Sequence, residues 1–396
     1  MIKLDNFKEE ENMHPHPIIR LLIVARWPLG GIRTYMKYTY KYFPKDRFQI
    51  TLLAPEEGER ETLAQDMNEM GIEWVKAARV AGRDFLCLRV FQLLARQRFD
   101  VIQSEGFISA VHVHAANLFH NIPHVVTVHG ILEQKYLGSG LLGKLKRKWL
   151  QWVINGADAL YSVSLDMQDH VESLLKISKK LRKVVIHNGI DVSRFTDKEL
   201  SADTSLRKKL GIPDTTFLIG FLGRFMPQKG FEYLIEAMDL LAKRHLGSRD
   251  ILVLAVGSGD YLESYKKRVA EKGLTNRFLF LPFQPNVAPV YDAADVIVMP
   301  SIWEAFGLQA AEALCMGRPI ISSDCIGLRE AIKDTPAIVV PTGNATAIAD
   351  SVSRLILKPP SLLFHDFREE ARKRFDVRKT SSELQALLIS LVPGQA

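Results

Sequence analysis

The sequence is poor in cysteine, with three in 396 residues, at Cys87, Cys315 and Cys325. So few, so scattered, exclude a disulfide framework and a structural zinc site, and they imply a reducing cytoplasm. A secretory leader is also missing. The first 17 residues mix charges, end in His14-Pro15-His16-Pro17 and carry no apolar segment, so they read as a mobile tail. One stretch, Gly106 to Leu132, has no Asp, Glu, Lys or Arg, but it holds five histidines and is broken at Asn121-Ile122-Pro123. A buried helix followed by a buried strand is expected there rather than a membrane span of ~20 residues. His112, His114, His120 and His124 have no acidic or Cys partner at metal-ligand spacing. Neither an Asp-x-Asp motif nor a P-loop order of glycines and lysine occurs, and no repeat or low-complexity tract stands out.

Acidic residues are scarce in one half. Residues 1–196 hold 27 Lys and Arg against 21 Asp and Glu, a net of +6, whereas residues 197–396 are close to neutral. A basic first half suits an acidic partner: anionic membrane, phosphorylated substrate or nucleic acid.

What is present is an alternation of short β-branched runs with helix-length amphipathic segments. The strand candidates of the first half are Ile18–Ala25, Phe48–Ala54, Ile72–Lys76, Val101–Ser104, His124–His129, Ala159–Ser164 and Lys183–His187. Those of the second are Phe217–Phe221, Ile251–Val256, Phe278–Leu281, Val296–Pro300, Pro319–Ser323 and Ala337–Val340. Their continuous apolar character indicates strands covered on both faces, hence parallel, doubly wound sheets. Thirteen strands exceed one such sheet, and the pattern restarts near residue 215 after the polar stretch Val192–Leu210. Two Rossmann-like domains facing a central cleft are expected, over 18–195 and 196–375. The last helix, within 376–396, could belong to either. Ligands of such sheets lie beyond the carboxyl ends of the strands, so residues just after strands become candidates.

The strongest of these is the run Ser301 to Leu308 with Glu304, leading into a helix that carries Glu312. The amides of Phe306, Gly307 and Leu308 open that helix, whose positive end suits a phosphate. Two carboxylates beside a phosphate site suit sugar or ribose hydroxyls. Next is Gly223-Arg224-Phe225-Met226-Pro227-Gln228-Lys229-Gly230, a tight loop offering a guanidinium fork and a point charge to a diphosphate; a solvated basic loop is the competing reading. Val256-Gly257-Ser258-Gly259 would bring a ligand close to backbone, or be a plain turn. Gly30 and Gly31 open a further helix, as a phosphate or acceptor contact or as a simple turn. His129 ends a strand before Gly130, where a structural histidine is the alternative. Asn188-Gly189-Ile190-Asp191 reads as a hinge.

Taken in order, Gly-Gly, His-Gly, Asn-Gly-Ile-Asp, Gly-Arg-x₅-Lys-Gly, Val-Gly-x-Gly and Glu-Ala-Phe-Gly-Leu within an E-x₇-E pair resemble the retaining glycosyltransferases of family 4, with the GT-B fold. The resemblance covers nearly the whole chain after residue 18. It implies that Arg224 and Lys229 hold the donor diphosphate, that Glu304 lies by the transferred sugar and that Glu312 binds the ribose. It places His129 near the reaction centre and the base against Leu281–Gln284, including Phe283. It also implies a C-terminal helix crossing back to the first domain. Two positions depart from the family pattern. Arg33 stands where an acidic residue is common, and Ile326-Gly327-Leu328-Arg329-Glu330 replaces a Gly-Gly-x-Pro-Glu pattern.

The expected activity is transfer of a hexosyl group from a UDP- or GDP-sugar to a glycan or lipid-linked acceptor, in cell-envelope or polysaccharide synthesis. It would need no cofactor and no essential metal. A sugar-nucleotide epimerase on a similar fold and a noncatalytic membrane-docking subunit are the alternatives. The segment Lys144 to Trp152, with four basic residues and two tryptophans, suits an interfacial helix on anionic lipid as well as a solvated helix face. The expected location is cytoplasmic, with docking at the inner membrane face left open; nucleic acid is not the expected partner.

Overall fold

The computed structural model describes residues 17–55, 60–77, 79–80, 83–133, 137–196, 206–244, 249–358 and 362–395. The tail at 1–16 and most of the polar linker, 197–205, lie outside the described residues.

Thirteen strands form two parallel sheets. The first contains β1 (Ile19–Ala25), β2 (Phe48–Pro55), β3 (Glu73–Ala77), β6 (Val101–Glu105), β7 (His124–Val128), β8 (Ala159–Ser162) and β9 (Arg182–Val185). Its order is β3-β2-β1-β6-β7-β8-β9; β4 (Arg79–Val80) and β5 (Arg83–Asp84) make a separate small hairpin. The second contains β10 (Phe217–Leu222), β11 (Ile251–Val256), β12 (Phe278–Leu281), β13 (Val296–Met299), β14 (Ile320–Ser323) and β15 (Ile338–Val340), in the order β12-β11-β10-β13-β14-β15. Every neighbouring pair within these two sheets is parallel. The central strands are buried throughout, as their unbroken apolar runs require once helices cover both faces. Strand order reverses between β1 and β6 and again between β10 and β13. Crevices open at such switch points, and the loops after these strands supply the site.

The charge-free stretch folds as a helix, Phe107–Asn117, and the strand β7. Asn117 closes the break between them, donating to the Ile122 carbonyl (2.6 Å) and accepting from its N–H (3.0 Å). The helix is less buried than the sequence suggests: Ile108, and Leu118 and Phe119 just past its end, are exposed. No helix among the described residues is long and apolar enough to cross a membrane.

The last helix, Val377–Leu391, seats Leu384, Leu387 and Leu388 in the core of the first sheet. Its entry is fixed at the hinge. Ile190 bridges Asp376, and Gly189 lies so close that a Cβ there would stand 2.5 Å from the Val377 Cα. Asp191, also buried, accepts from Lys41 Nζ (2.6 Å), Tyr42 Oη (3.1 Å) and Ser193 Oγ (2.6 Å). The Asn-Gly-Ile-Asp segment is therefore the joint between the halves.

Candidate functional site

On the second half, β10 runs into the loop of Arg224 and Lys229, and β13 into the loop of Glu304. These two loops interlock. Gly230, at φ +63°, passes so close to Pro300 that a Cβ would sit 2.0 Å from its carbonyl oxygen. Lys229 Nζ donates to Glu304 Oε1 at 2.7 Å, and Ser301 Oγ donates to the same oxygen at 2.7 Å. Ser301 is held in turn through its carbonyl, which accepts from Ser323 Oγ at 2.5 Å. Glu304 is thus a buried carboxylate with its charge matched by a fixed ammonium. A Gly230→Ala substitution combines left-handed strain with a backbone clash. It should cost about 2–4 kcal/mol of stability, read as a lower denaturant midpoint with the slope unchanged.

The helix Leu308–Cys315 starts at Gly307, φ +95°, without a side-chain cap, so its first amides have no side-chain partner at this end. Phe306 contributes only backbone there. Its ring is buried, stacked on His187 (centroids 5.6 Å) and in contact with Phe375 (6.3 Å). Gly223, between the two loops, faces the side-chain amide of Gln309, 3.1 Å from where a Cβ would lie. Gly257 packs against the neighbouring loop. The space beside its Cα is taken by the Gly223 carbonyl oxygen (1.8 Å from an ideal Cβ), and its N–H donates to the Leu281 carbonyl (3.0 Å). Its lack of a side chain serves loop-on-loop packing.

Glu312 lies one helix turn and more behind Gly307, buried, with the Tyr291 hydroxyl donating to it at 2.6 Å. Burial pushes its carboxyl up to about 7, against the opposing effects of the Tyr291, Arg194, Tyr38 and Lys229 groups. The sign for stability follows directly. The folded state keeps this proton up to about pH 7, whereas the unfolded chain releases it near the ordinary 4.5. Stability therefore falls as pH rises from about 4.5 to about 7 and levels off above it, by on the order of 3 kcal/mol. Glu312→Gln should flatten this dependence, as seen in unfolding midpoints measured across that range.

The first half faces this constellation. Gly30, φ +57°, caps the helix Gly31–Tyr40, and a Cβ there would come within 3.3 Å of Arg224 Cδ; the position of Gly31 is open. Tyr38 of that helix packs into the core of the second half, and Arg194 Nη1 donates to its hydroxyl at 3.2 Å. Phe283 is partly exposed, with the Arg33 guanidinium 5.7 Å from its ring centroid. Arg33 also pairs with buried Asp66 (3.2 Å). The departure at this position is thus an internal ion pair that also reaches across the cleft. The altered Arg329-Glu330 segment closes a second contact between the halves. Arg329 Nη2 meets Asp166 at 2.7 Å, and Glu330 accepts from the amides of Leu165 (3.1 Å) and Asp166 (3.2 Å) and from His187.

His129 is built in by residues that sequence reasoning passed over. Its Nε2 meets Glu105 Oε2 at 2.5 Å, and Tyr40 Oη donates to the other oxygen at 2.8 Å. The Tyr35 ring stands edge-on at 4.6 Å. A carboxylate only accepts, so Nε2 is the donor in this pair. Gly130 lies against Trp303, the residue before Glu304, with an ideal Cβ 3.4 Å from its ring. The two halves therefore bring His129 and Glu304 to the same part of the cleft. Glu105 ends β6 at the switch point, so its place in the alternation was the signal that could have found it.

Two doubly wound sheets facing one cleft, with the cations and an uncapped helix start on one wall and a buried histidine–glutamate pair on the other, define a GT-B protein. Comparison with known proteins agrees. Residues 202–374 match the family described as glycosyl transferases group 1, and residues 29–194 match glycosyltransferase family 4. A D-inositol 3-phosphate glycosyltransferase of Saccharomonospora viridis is 30% identical over 313 residues, covering 72% of this chain and 71% of that one. A UDP-Gal:alpha-D-GlcNAc-diphosphoundecaprenol alpha-1,3-galactosyltransferase of Escherichia coli is 23% identical over 385 residues, 95% of this chain and 98% of its own. Among solved structures, Anabaena Alr3699/HepE in complex with UDP-glucose superposes with a TM-score of 0.79 at 21% identity, covering 94% of this chain and 100% of that one; this likeness concerns the fold. The chain belongs to the group 1 glycosyltransferases of family 4.

Proposed function

We propose that the protein transfers a hexosyl group, with retention of configuration and without a metal, from a UDP- or GDP-sugar to a lipid-linked or other glycan acceptor in cell-envelope or polysaccharide synthesis. The observation that carries this reading is the wall formed by Arg224, the Lys229–Glu304 pair and the uncapped start of Leu308–Cys315. Fixed donors of this kind act where leaving-group charge develops. In the proposed step the bond from the anomeric carbon to the diphosphate oxygen breaks, and the acceptor oxygen bonds to the same face of that carbon. The acceptor proton passes to the departing phosphate oxygen. A double displacement would need a carboxylate nucleophile within reach of the anomeric carbon. Glu304 is poorly suited, since Lys229 and Ser301 already occupy one of its oxygens. The cations Arg224 and Lys229 would stand at the diphosphate in place of a metal ion.

His129 would accept from a donor-sugar hydroxyl through Nδ1, Glu312 would hold the ribose, and the loop carrying Phe283 would border the base. The similarity to proteins named for a UDP-linked sugar and for an undecaprenol-linked acceptor supports the donor and acceptor classes. Closure of the cleft would keep water from the donor. Screening UDP- and GDP-sugars for protection against thermal unfolding tests the donor. Product analysis by NMR, with and without chelator, then tests retention and metal independence. An inverted product, or activity abolished by chelation, would overturn the corresponding part.

A further inference from the structure

The face of the first half turned away from the last helix carries an apolar surface that none of the described residues covers. Its ridge is the helix Gly140–Asn155. Gly143, Leu150, Val153 and Ile154 of this helix are buried against the sheet. Leu141, Leu145, Trp149 and Trp152 recur at i, i+4, i+8 and i+11, a single stripe, and all are exposed; Leu141 and Leu142 are 75% and 74% accessible. Lys144 and Lys148 run beside this stripe, whereas Lys146 and Arg147 border the buried face of the helix. The helix therefore has three faces where a soluble helix has two.

The surface continues onto two neighbouring helices. Trp152 stacks edge-on with His114 of Phe107–Asn117 (centroids 4.3 Å). Beyond the end of that helix Leu118 is exposed and Phe119 is 80% accessible. Phe119 in turn meets Phe91 of the helix Leu86–Arg96 at 6.3 Å, and Leu88, one turn earlier, is exposed as well. These three helices contain six Lys and Arg residues and no Asp or Glu. In the whole span 85–155 the acidic residues are Asp100, Glu105 and Glu133. Asp100 is paired with Arg20, and Glu105 is buried against His129.

We infer that this three-helix face docks on an anionic lipid bilayer, and that Leu141, Leu142, Trp149 and Phe119 enter the headgroup region. Charge complementarity selects the occupant. A face of cations without any carboxylate matches a negatively charged surface, and tryptophans beside exposed leucines match the boundary between headgroups and acyl chains. The inference deepens the lipid-linked acceptor reading, since it brings the acceptor-side half to the surface where such an acceptor resides. It also extends the docking surface well beyond the basic segment evident in the sequence.

The test is co-sedimentation of the full chain with phosphatidylcholine vesicles, with and without phosphatidylglycerol. Binding to the anionic vesicles is expected to exceed binding to neutral ones at least tenfold. Lys144→Gln with Lys148→Gln should weaken it about fivefold per charge removed. Leu141→Ser with Leu142→Ser, and Phe119→Ser alone, should reduce it at any charge content. All these side chains are exposed and none belongs to the proposed donor site, so unfolding midpoints and UDP affinity by calorimetry should match the parent. Equal binding to neutral and anionic vesicles, unchanged binding in the variants, or a stable dimer that the Leu141→Ser, Leu142→Ser variant dissolves would overturn the inference. A protein that binds anionic vesicles but no nucleotide would instead overturn the donor reading and leave docking intact.

Discussion

Replacing Arg224 with Ala is expected to lower sugar transfer by about 10²–10³-fold, mainly in kcat, because one donor to developing oxyanion charge is worth that much once the cleft closes over the sugar donor. The structure makes this a clean substitution. Arg224 is exposed at the mouth of the cleft, opposite Gly30, and buries no core surface. The unfolding midpoint should therefore stay within a degree or two of the parent, and single-turnover kinetics should show the loss in the chemical step. Lys229→Ala is less clean, because it strands the buried Glu304 carboxylate and mixes a stability loss into the kinetics. Near-normal turnover in the Arg224→Ala protein would remove the diphosphate role from this loop.

Glu105→Gln is expected to reduce kcat by about 10–100-fold with little change in donor KM, through loss of the imidazole's fixed tautomer and orientation. The glutamine fills the same volume at the end of β6 but can no longer accept from both His129 Nε2 and the Tyr40 hydroxyl. Glu105→Ala should do more damage to folding, because it leaves two buried donors without an acceptor, at about 1–3 kcal/mol each. A kcat loss in the Gln variant at an unchanged unfolding midpoint separates a positioning role from a merely structural one. If Glu105→Gln turned over normally, His129 would not depend on its buried partner.

These two residues illustrate what could be read in advance. Arg224 sits in a motif with its own grammar: a strand, two glycines, and two cations at fixed spacing. Glu105 has no motif. It follows Val101, Ile102, Gln103 and Ser104 at the end of a strand, and nothing nearby in sequence mentions His129, which lies 24 positions on. The same holds for Ser323, which braces Ser301 beside Glu304, and for Tyr38 and Tyr291 around Glu312. Each is an ordinary strand-end or helix residue until parallel packing sets it beside its partner. Gly257 shows the converse. It stands out in sequence as a ligand turn, but the Gly223 carbonyl fills the space.

The sequence alone determined the strands, their burial on both faces and the two-sheet architecture, because continuous apolar runs separated by helix-length amphipathic segments have few other ways to bury themselves. It also carried the motif loops, whose glycine and charge spacing is local. Only the tertiary structure decided the partners of the buried carboxylates, and the use of Arg33, Arg329 and Glu330 as contacts between the halves. It alone also joined three separate helices into one acid-free apolar face. The physical reason is common to all of them: parallel crossovers and the docking of the two halves bring together residues from about 20 to well over 100 positions apart, and charge, hydrogen bonding and exposure are settled by those neighbours rather than by adjacent residues.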